Sequence, residues 1–319
     1  MPENVVFILG AGASKPYGLP TAAELRAEIL TDGQVPLAQG VPAGESQFAK
    51  ALIEDLKAQF ATCPESIDRF LELNPGLESR GKRLIANALL LKEIGAVCRA
   101  SIATDWYAWY FRQIHLPQSR SIHTANQTII TFNYDNTLEW ALHVMVQGTF
   151  GLDADTAMSR VKPLPIIHVY GRLEMSYELN RWLPKATGNF RYAVEESASG
   201  IQIVSRGKMG DSDELKSARA AIQDATKIVF LGFGFDPVNL ERLGLDSVVD
   251  PTRPRAKAEV LACVFGLRGS SRESVRQRLS NLRLGRLPRP LVLGEPDQGC
   301  EEFLRENVDL RSWLDITEQ

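Results

Sequence analysis

The residues best suited to chemistry lie on short stretches that each read as a strand running into a turn. PIIHVYGRLE (165–174) carries His168, one of only four histidines in 319 residues, and Tyr170 just ahead of Gly171. ITFNYDNTLEW (130–140) places Asn133, Tyr134 and Asp135 at a strand-to-helix turn. GAGAS (10–14) follows the apolar run NVVFIL (4–9), and IVFLGFGFDP (228–237) repeats the pattern of apolar run, Gly-x-Gly and helix start.

Each stretch offers a distinct kind of chemistry. Imidazole titrates near ~6.5 and suits a general base at neutral pH, whereas a tyrosine hydroxyl ionises near ~10. If the strand runs through Tyr170, alternation puts His168 and Tyr170 on one face roughly 6.5 Å apart, with Tyr170 nearer the mouth. Asn133, Tyr134 and Asp135 sit at the turn itself, before the helix that follows. Every stretch also has a plain structural reading. His168 can be a hydrogen-bonded core histidine, and Asn133 a turn residue. Asn136 and Glu139 have the spacing of a capping box.

Glycines after a strand let backbone N–H groups approach a diphosphate. GAGAS does not complete G-x-G-x-x-G, because Lys15 stands where the third glycine belongs, and no G-K-[ST] follows. An ordinary dehydrogenase and a P-loop NTPase are therefore disfavoured. In GFGFDP, Asp236 before Pro237 reads as an N-cap followed by the first helical residue. Asn239 falls in the first turn of that helix, within reach of a ribose.

Elements to position these residues follow from the pattern. Strands are expected over 4–9, 127–132, 163–170, 201–205, 226–233 and 258–265, with a weaker one at 289–294. A helix over 22–30 is capped by Thr21 with Glu24 at the capping-box position. From 32 to 118 the pattern is helical throughout, including an aromatic DWYAWYF stretch (105–111) that reads as core or as an oligomer interface. The expectation is an α/β fold: a Rossmann-like, mainly parallel sheet with helices on both faces, formed by 1–31 and 119–319, with an all-helical insertion over 32–118. Ligands of such sheets bind at the C-terminal strand ends, where all these turns fall.

Composition narrows the classes. Apolar residues make up 44% and charged residues 24%, with a net charge of −3. No basic surplus favours direct nucleic-acid binding. The N-terminus lacks a signal pattern and no apolar run is long enough to span a membrane, so a cytoplasmic protein is expected. The four cysteines, Cys63, Cys98, Cys263 and Cys300, form no C-x-x-C pair, which argues against structural zinc and leaves free thiols.

Taken in order, GAGAS, GLPT (18–21), SIDRFLE (66–72), TFNYDNTLE (131–139), HVYGRL (168–173) and GFGFDPVN (232–239) resemble the Sir2-like family. Without the zinc pairs of the deacylases, and with FNYD followed by Glu139, the chain looks like the bacterial antiphage-defence NADases of that family. The resemblance implies that NAD is hydrolysed to nicotinamide and ADP-ribose, with no metal. Asn133 would orient the ribose and attacking water, and Asp135 would assist. Gly10, Gly12 and Ser14 would hold the diphosphate, with Ala11 and Thr21 alongside. Gly232, Phe233, Gly234 and Asn239 would line the adenosine half.

The family has histidine directly before the strand-end glycine, where this chain has Tyr170. The base could be His168, acting alone or through the Tyr170 hydroxyl; it could be Tyr170; or activity could be weak or lost. The resemblance further implies a homo-oligomer and a HerA-type ATPase as a partner, with NAD depletion as the outcome. A catalytically weak NAD- or ADP-ribose-binding assembly module is the alternative, and protein deacylation the third reading.

Overall fold

The computed structural model describes residues 2–32, 43–100, 105–173, 190–203, 212–245, 258–281 and 291–317. Its centre is β1 (Val5–Leu9), an apolar, β-branched run buried at every position. A strand buried on both faces cannot alternate apolar and polar side chains, and it belongs inside a parallel sheet. β1 pairs in parallel with β4 (Gln127–Thr131) on one side and with β6 (Lys227–Leu231) on the other. Beyond β4 lies β5 (Ile166–His168). Beyond β6 lie β7 (Glu259–Ala262) and β8 (Leu291–Leu293).

The six strands run in the order β5-β4-β1-β6-β7-β8, all parallel, with helices around them. Numbered within the sheet, this is the 3-2-1-4-5-6 order of the doubly wound Rossmann architecture, whose direction reverses between β1 and β6. Register brings the site together. Leu9 stands opposite both Thr131 and Leu231, and Thr131 opposite His168. The turns after β1, β4, β5 and β6 therefore emerge side by side.

Between β1 and β4 the chain forms α1 (Ala11–Ser14), α2 (Ala22–Asp32), α3 (Ala43–Thr62), α4 (Ile67–Leu73), α5 (Glu78–Ala100) and α6 (Trp106–Ile114). Residues 33–42 and 101–104 of the expected insertion lie outside the described residues. The boundary near 118 falls inside a short antiparallel hairpin, β2 (His115–Leu116) with β3 (Ser121–Ile122). These helices share one apolar cluster with the sheet, through Tyr17, Ile85, Trp106 and Tyr110 among others. The aromatic stretch 105–111 is core: Trp106, Tyr107, Trp109, Tyr110 and Phe111 are all buried.

After β4 come α7 (Thr137–Phe150) and α8 (Ala154–Val161), and after β5 come α9 (Phe190–Ser199) and α10 (Asp213–Asp224). α11 (Pro237–Arg242) follows β6, α12 (Gly269–Asn281) follows β7, and α13 (Cys300–Asn307) and α14 (Leu310–Trp313) follow β8.

Two expectations need correction. The stretch 201–205 is not a strand where it is described: Ile201 makes a single antiparallel bridge to Gly171, and residues 204 and 205 lie outside the described residues. β5 stops at His168 instead of reaching Tyr170, because the chain turns there. Gly171 N donates to the His168 carbonyl at 3.1 Å and Gly171 adopts a φ of 64°. His168 and Tyr170 therefore do not share a strand face.

Candidate functional site at the strand ends

The turn after β4 is held from several directions. Asn133 Nδ2 donates to the Gly10 carbonyl at 3.1 Å and to Ser14 Oγ at 3.0 Å, which spends both of its amide hydrogens on the loop after β1. Asn133 N donates to Thr131 Oγ1 at 3.0 Å. With Nδ2 so fixed, Oδ1 is oriented as well, and it is buried without a hydrogen-bond partner. A buried acceptor left unpaired is costly, on the order of 1–3 kcal/mol, and a ligand donor would recover that cost.

Ser14 Oγ in turn donates to Asp135 Oδ1 at 3.3 Å, and the same oxygen accepts from Thr137 N at 3.1 Å at the start of α7. Burial raises the Asp135 carboxyl above its usual range, more than the bonds from Thr137 and Ser14 lower it. Asp135 Oδ1 thus links Ser14 to the start of α7.

The capping box expected from Asn136 and Glu139 does not form. Asn136 makes no side-chain cap bond; its Nδ2 donates to Glu93 Oε1 at 3.1 Å and to the Leu173 carbonyl at 3.0 Å. Glu139 instead receives His168 Nε2 at 2.8 Å, and His168 Nδ1 lies 3.1 Å from the Asn133 carbonyl. A carbonyl only accepts, so Nδ1 carries a proton. Both ring nitrogens thus have partners within the protein. Burial would raise the Glu139 carboxyl, yet the charge and hydrogen bond of His168, with Arg172 Nη1 4.0 Å away, leave it below its usual value. As placed, His168 is a buried structural donor.

Tyr170 does not replace it. Its hydroxyl donates to Asn239 Oδ1 and accepts from Arg242 Nη1, which leaves no contact with His168 and no relay between them. Burial, with Asp68 nearby, pushes the Tyr170 hydroxyl above its ordinary value, further from use as a base at neutral pH. Arg242 Nη2 also reaches Glu72 Oε2 at 2.7 Å.

The two glycine loops join each other. Gly10 N donates to the Leu231 carbonyl at 3.1 Å and Gly12 N to the Gly232 carbonyl at 3.0 Å. A Cβ on Gly232, at φ 56°, would meet Ala13 N at 1.9 Å, so only glycine permits this approach. The Gly10 and Gly12 N–H groups expected to cradle a diphosphate are therefore committed to the last residue of β6 and the first of the loop after it. Ala11 is half-buried beside them, and Ser14 is buried with its hydroxyl engaged. Thr21 caps α2: Thr21 N and Oγ1 each lie 2.9 Å from Glu24 Oε2.

In the β6 loop, the Phe233 side chain turns into the core against Phe132 and Phe230. Gly234 is exposed, with nothing within 4 Å of where a Cβ would stand. Phe235 adopts a φ of 53°, an outlier for a bulky residue, and is pinned by Phe230, by Phe233 and by Arg278 Nη1 on its carbonyl. Asp236 caps α11 as expected, accepting from Val238 N at 2.8 Å and Asn239 N at 3.2 Å.

Residue reading missed the supports beneath the site. Glu93, fully buried on α5, accepts from Asn136 N and Nδ2, and burial pushes its carboxyl up to about 8. Trp106 Nε1 donates to the Ala13 carbonyl at 2.8 Å, and Tyr107 stacks on Tyr17 at 3.8 Å between ring centroids. Asp68 bonds the Tyr134 hydroxyl. The signal that could have found Glu93 is a lone carboxylate inside the apolar turn pattern of α5.

The remaining histidines sit away from the turn. His143 Nε2 pairs with the Ala154 carbonyl at 3.0 Å, and His115 and His123 bracket the hairpin. Among the described residues no group of three or more His, Cys, Asp or Glu side chains is placed to hold a metal ion, and no helix is long and apolar enough to cross a membrane. Compared with known proteins, the chain matches no family model and no curated sequence.

Proposed function

We propose that this protein binds NAD across the C-terminal strand ends and hydrolyses it to nicotinamide and ADP-ribose, with Asn133 as the central site residue. The observation that carries the reading is the Asn133 amide. Its Nδ2 is fixed to Gly10 and Ser14, and its buried Oδ1 is left to accept a hydrogen bond from a ribose hydroxyl or a water. Its position one turn from the strand-order reversal is where Rossmann-type sheets take dinucleotides.

The chemistry asks little of a base. Nicotinamide departs as a neutral ring, and the oxocarbenium-like centre left behind is captured by a weakly polarised water. A site whose histidine is tied up at both nitrogens is compatible with that demand. Because the Gly10 and Gly12 N–H groups are occupied, the dinucleotide would lie over the joined loops, with the exposed Gly234 turn beside it. Activation by self-assembly or by a HerA-type ATPase, and a role in antiphage defence by NAD depletion, belong to the same proposal and rest on the family resemblance.

One observation favours a second reading, a nucleotide-binding assembly module of low activity: neither His168 nor Tyr170 is free to act as a base. Incubation of the full chain with NAD, alone and with candidate partners, separates the two readings. Nicotinamide release supports hydrolysis. Calorimetric NAD binding with no release under any condition supports the module.

A further inference from the structure

We infer that Tyr170 is a positioning residue: backed by Arg242 and Glu72, its hydroxyl orients the Asn239 amide so that Nδ2 is left as a donor to an acceptor oxygen on the ribose–phosphate chain of the dinucleotide. The inference rests on the NAD reading and gives that site a second contact besides Asn133. The side chains form one line across the strand ends. Glu72, on α4, receives Arg242 Nη2 on Oε2 at 2.7 Å. Arg242 Nη1 donates to the Tyr170 hydroxyl, and that hydroxyl donates to Asn239 Oδ1 at 2.5 Å.

Counting donors and acceptors fixes which way the amide points. A guanidinium only donates, so the Tyr170 oxygen accepts from Arg242 and its own hydrogen must go to an acceptor. Asn239 Oδ1 is the acceptor it meets. Turning the amide over would set NH2 against the phenol oxygen and strand the phenol hydrogen on a buried side chain. Oδ1 is therefore engaged by Tyr170, whereas Nδ2 makes no hydrogen bond among the described residues. Asn239 is half-buried in the first turn of α11, directly after β6, where the strand order reverses and such sheets take dinucleotides.

Each link of the line is held from behind. The Arg242 and Glu72 side chains are only 10% and 4% exposed. Glu72 Oε2 also takes Arg69 Nη1 at 2.6 Å, so one buried oxygen anchors two guanidiniums. The Arg242 charge polarises the phenol and strengthens its bond to Asn239. Phe132 packs edge-on against the Tyr170 ring, 5.4 Å between centroids, and Asp236 Oδ1 accepts from Asn239 N at 3.2 Å. Ring and backbone are thus fixed independently of the hydroxyl. Removing the hydroxyl alone frees the Asn239 amide to turn, and a ligand must then order it on binding.

The test measures NAD binding by calorimetry on the full chain, in wild type, Y170F, N239A and the Y170F/N239A double variant. Y170F should bind NAD about tenfold more weakly, the scale of one neutral hydrogen bond. Because Tyr170 acts through Asn239, the double variant should bind no more weakly than N239A. N239D keeps an oxygen for Tyr170 and removes the donor, so it should lose at least as much as N239A. The Asn239 side-chain amide signal, followed by nitrogen-15 NMR and assigned from N239A, should shift on NAD addition in wild type and should already be displaced in Y170F without NAD. Full NAD affinity in Y170F, or the same Y170F loss with and without Asn239, would overturn the inference and leave the NAD reading standing. A wild type that binds no NAD would overturn that reading, and an Asn239 signal unmoved by Y170F would overturn the positioning itself.

Discussion

His168 and Glu139 form a buried pair, Nε2 to Oε1 at 2.8 Å, between the end of β5 and the first turn of α7. The pair ties the two strand-end turns together and engages one ring nitrogen of the histidine that sequence alone would choose as a base. Breaking one partner of a buried pair leaves the other uncompensated, at a cost of about 3–5 kcal/mol. E139A and H168A should each fall in that range by urea denaturation, and the double variant should lose clearly less than their sum. The folded Glu139 carboxyl lies below its usual value, so its contribution is complete above the ordinary carboxylate range and is lost as pH falls through the folded value.

Glu93 gives the opposite pH dependence. Its carboxyl is raised from 4.5 to about 8 in the folded protein. Between those values the folded state holds a proton that the unfolded state has lost, so stability falls as pH rises. E93Q keeps an acceptor for Asn136 and cannot ionise. Thermal melts from pH 5 to 8 should show a flatter profile in E93Q than in wild type, with the variant ahead at the alkaline end. Parallel profiles would remove the neutral acid from the account.

The two glycines of the β6 loop should respond differently to alanine. G232A forces a Cβ to within 1.9 Å of Ala13 N at φ 56°, so the joined loops must separate. The left-handed conformation alone costs about 1–2 kcal/mol, and the clash adds to it. G234A meets open space and should change the melting temperature little. Equal losses in the two variants would contradict the loop-to-loop contact.

The sheet was legible because its strands are short and apolar, with β1, β6 and β8 running straight into glycine, and Asp236 before Pro237 marked a helix start that the structure contains. Purely local signals failed where distant residues competed for the same atoms. Asn136 and Glu139 have capping-box spacing, but Glu93, 43 residues away, takes the first and His168 takes the second. The stretch 201–205 has strand composition but only one bridging partner, at Gly171. Tyr170 leaves the strand because Gly171 turns the chain, which the apolar run before it does not foretell. The φ of 53° at Phe235 depends on aromatic packing from β6 and has no local mark at all.

Asn133 should tolerate loss of its side chain better than a change of its polarity. N133D keeps the size, removes the two donors and sets a carboxylate against the Gly10 carbonyl. It should lose more stability than N133A, by about 1–3 kcal/mol, since like-signed partial charges then face each other in a buried place. Equal stabilities by chemical denaturation would mean that the Asn133–Gly10 bond does not hold the turn.

In the proposed function, the unpaired Asn133 Oδ1 is the group that engages NAD. The most direct measurement is nicotinamide release from NAD by N133A beside wild type, at matched concentration and with circular dichroism confirming the fold. Wild type should release nicotinamide, and the rate should fall at least about 100-fold in N133A, the scale expected when an oriented polar contact to the reacting centre is removed. Release by N133A at the wild-type rate would contradict it.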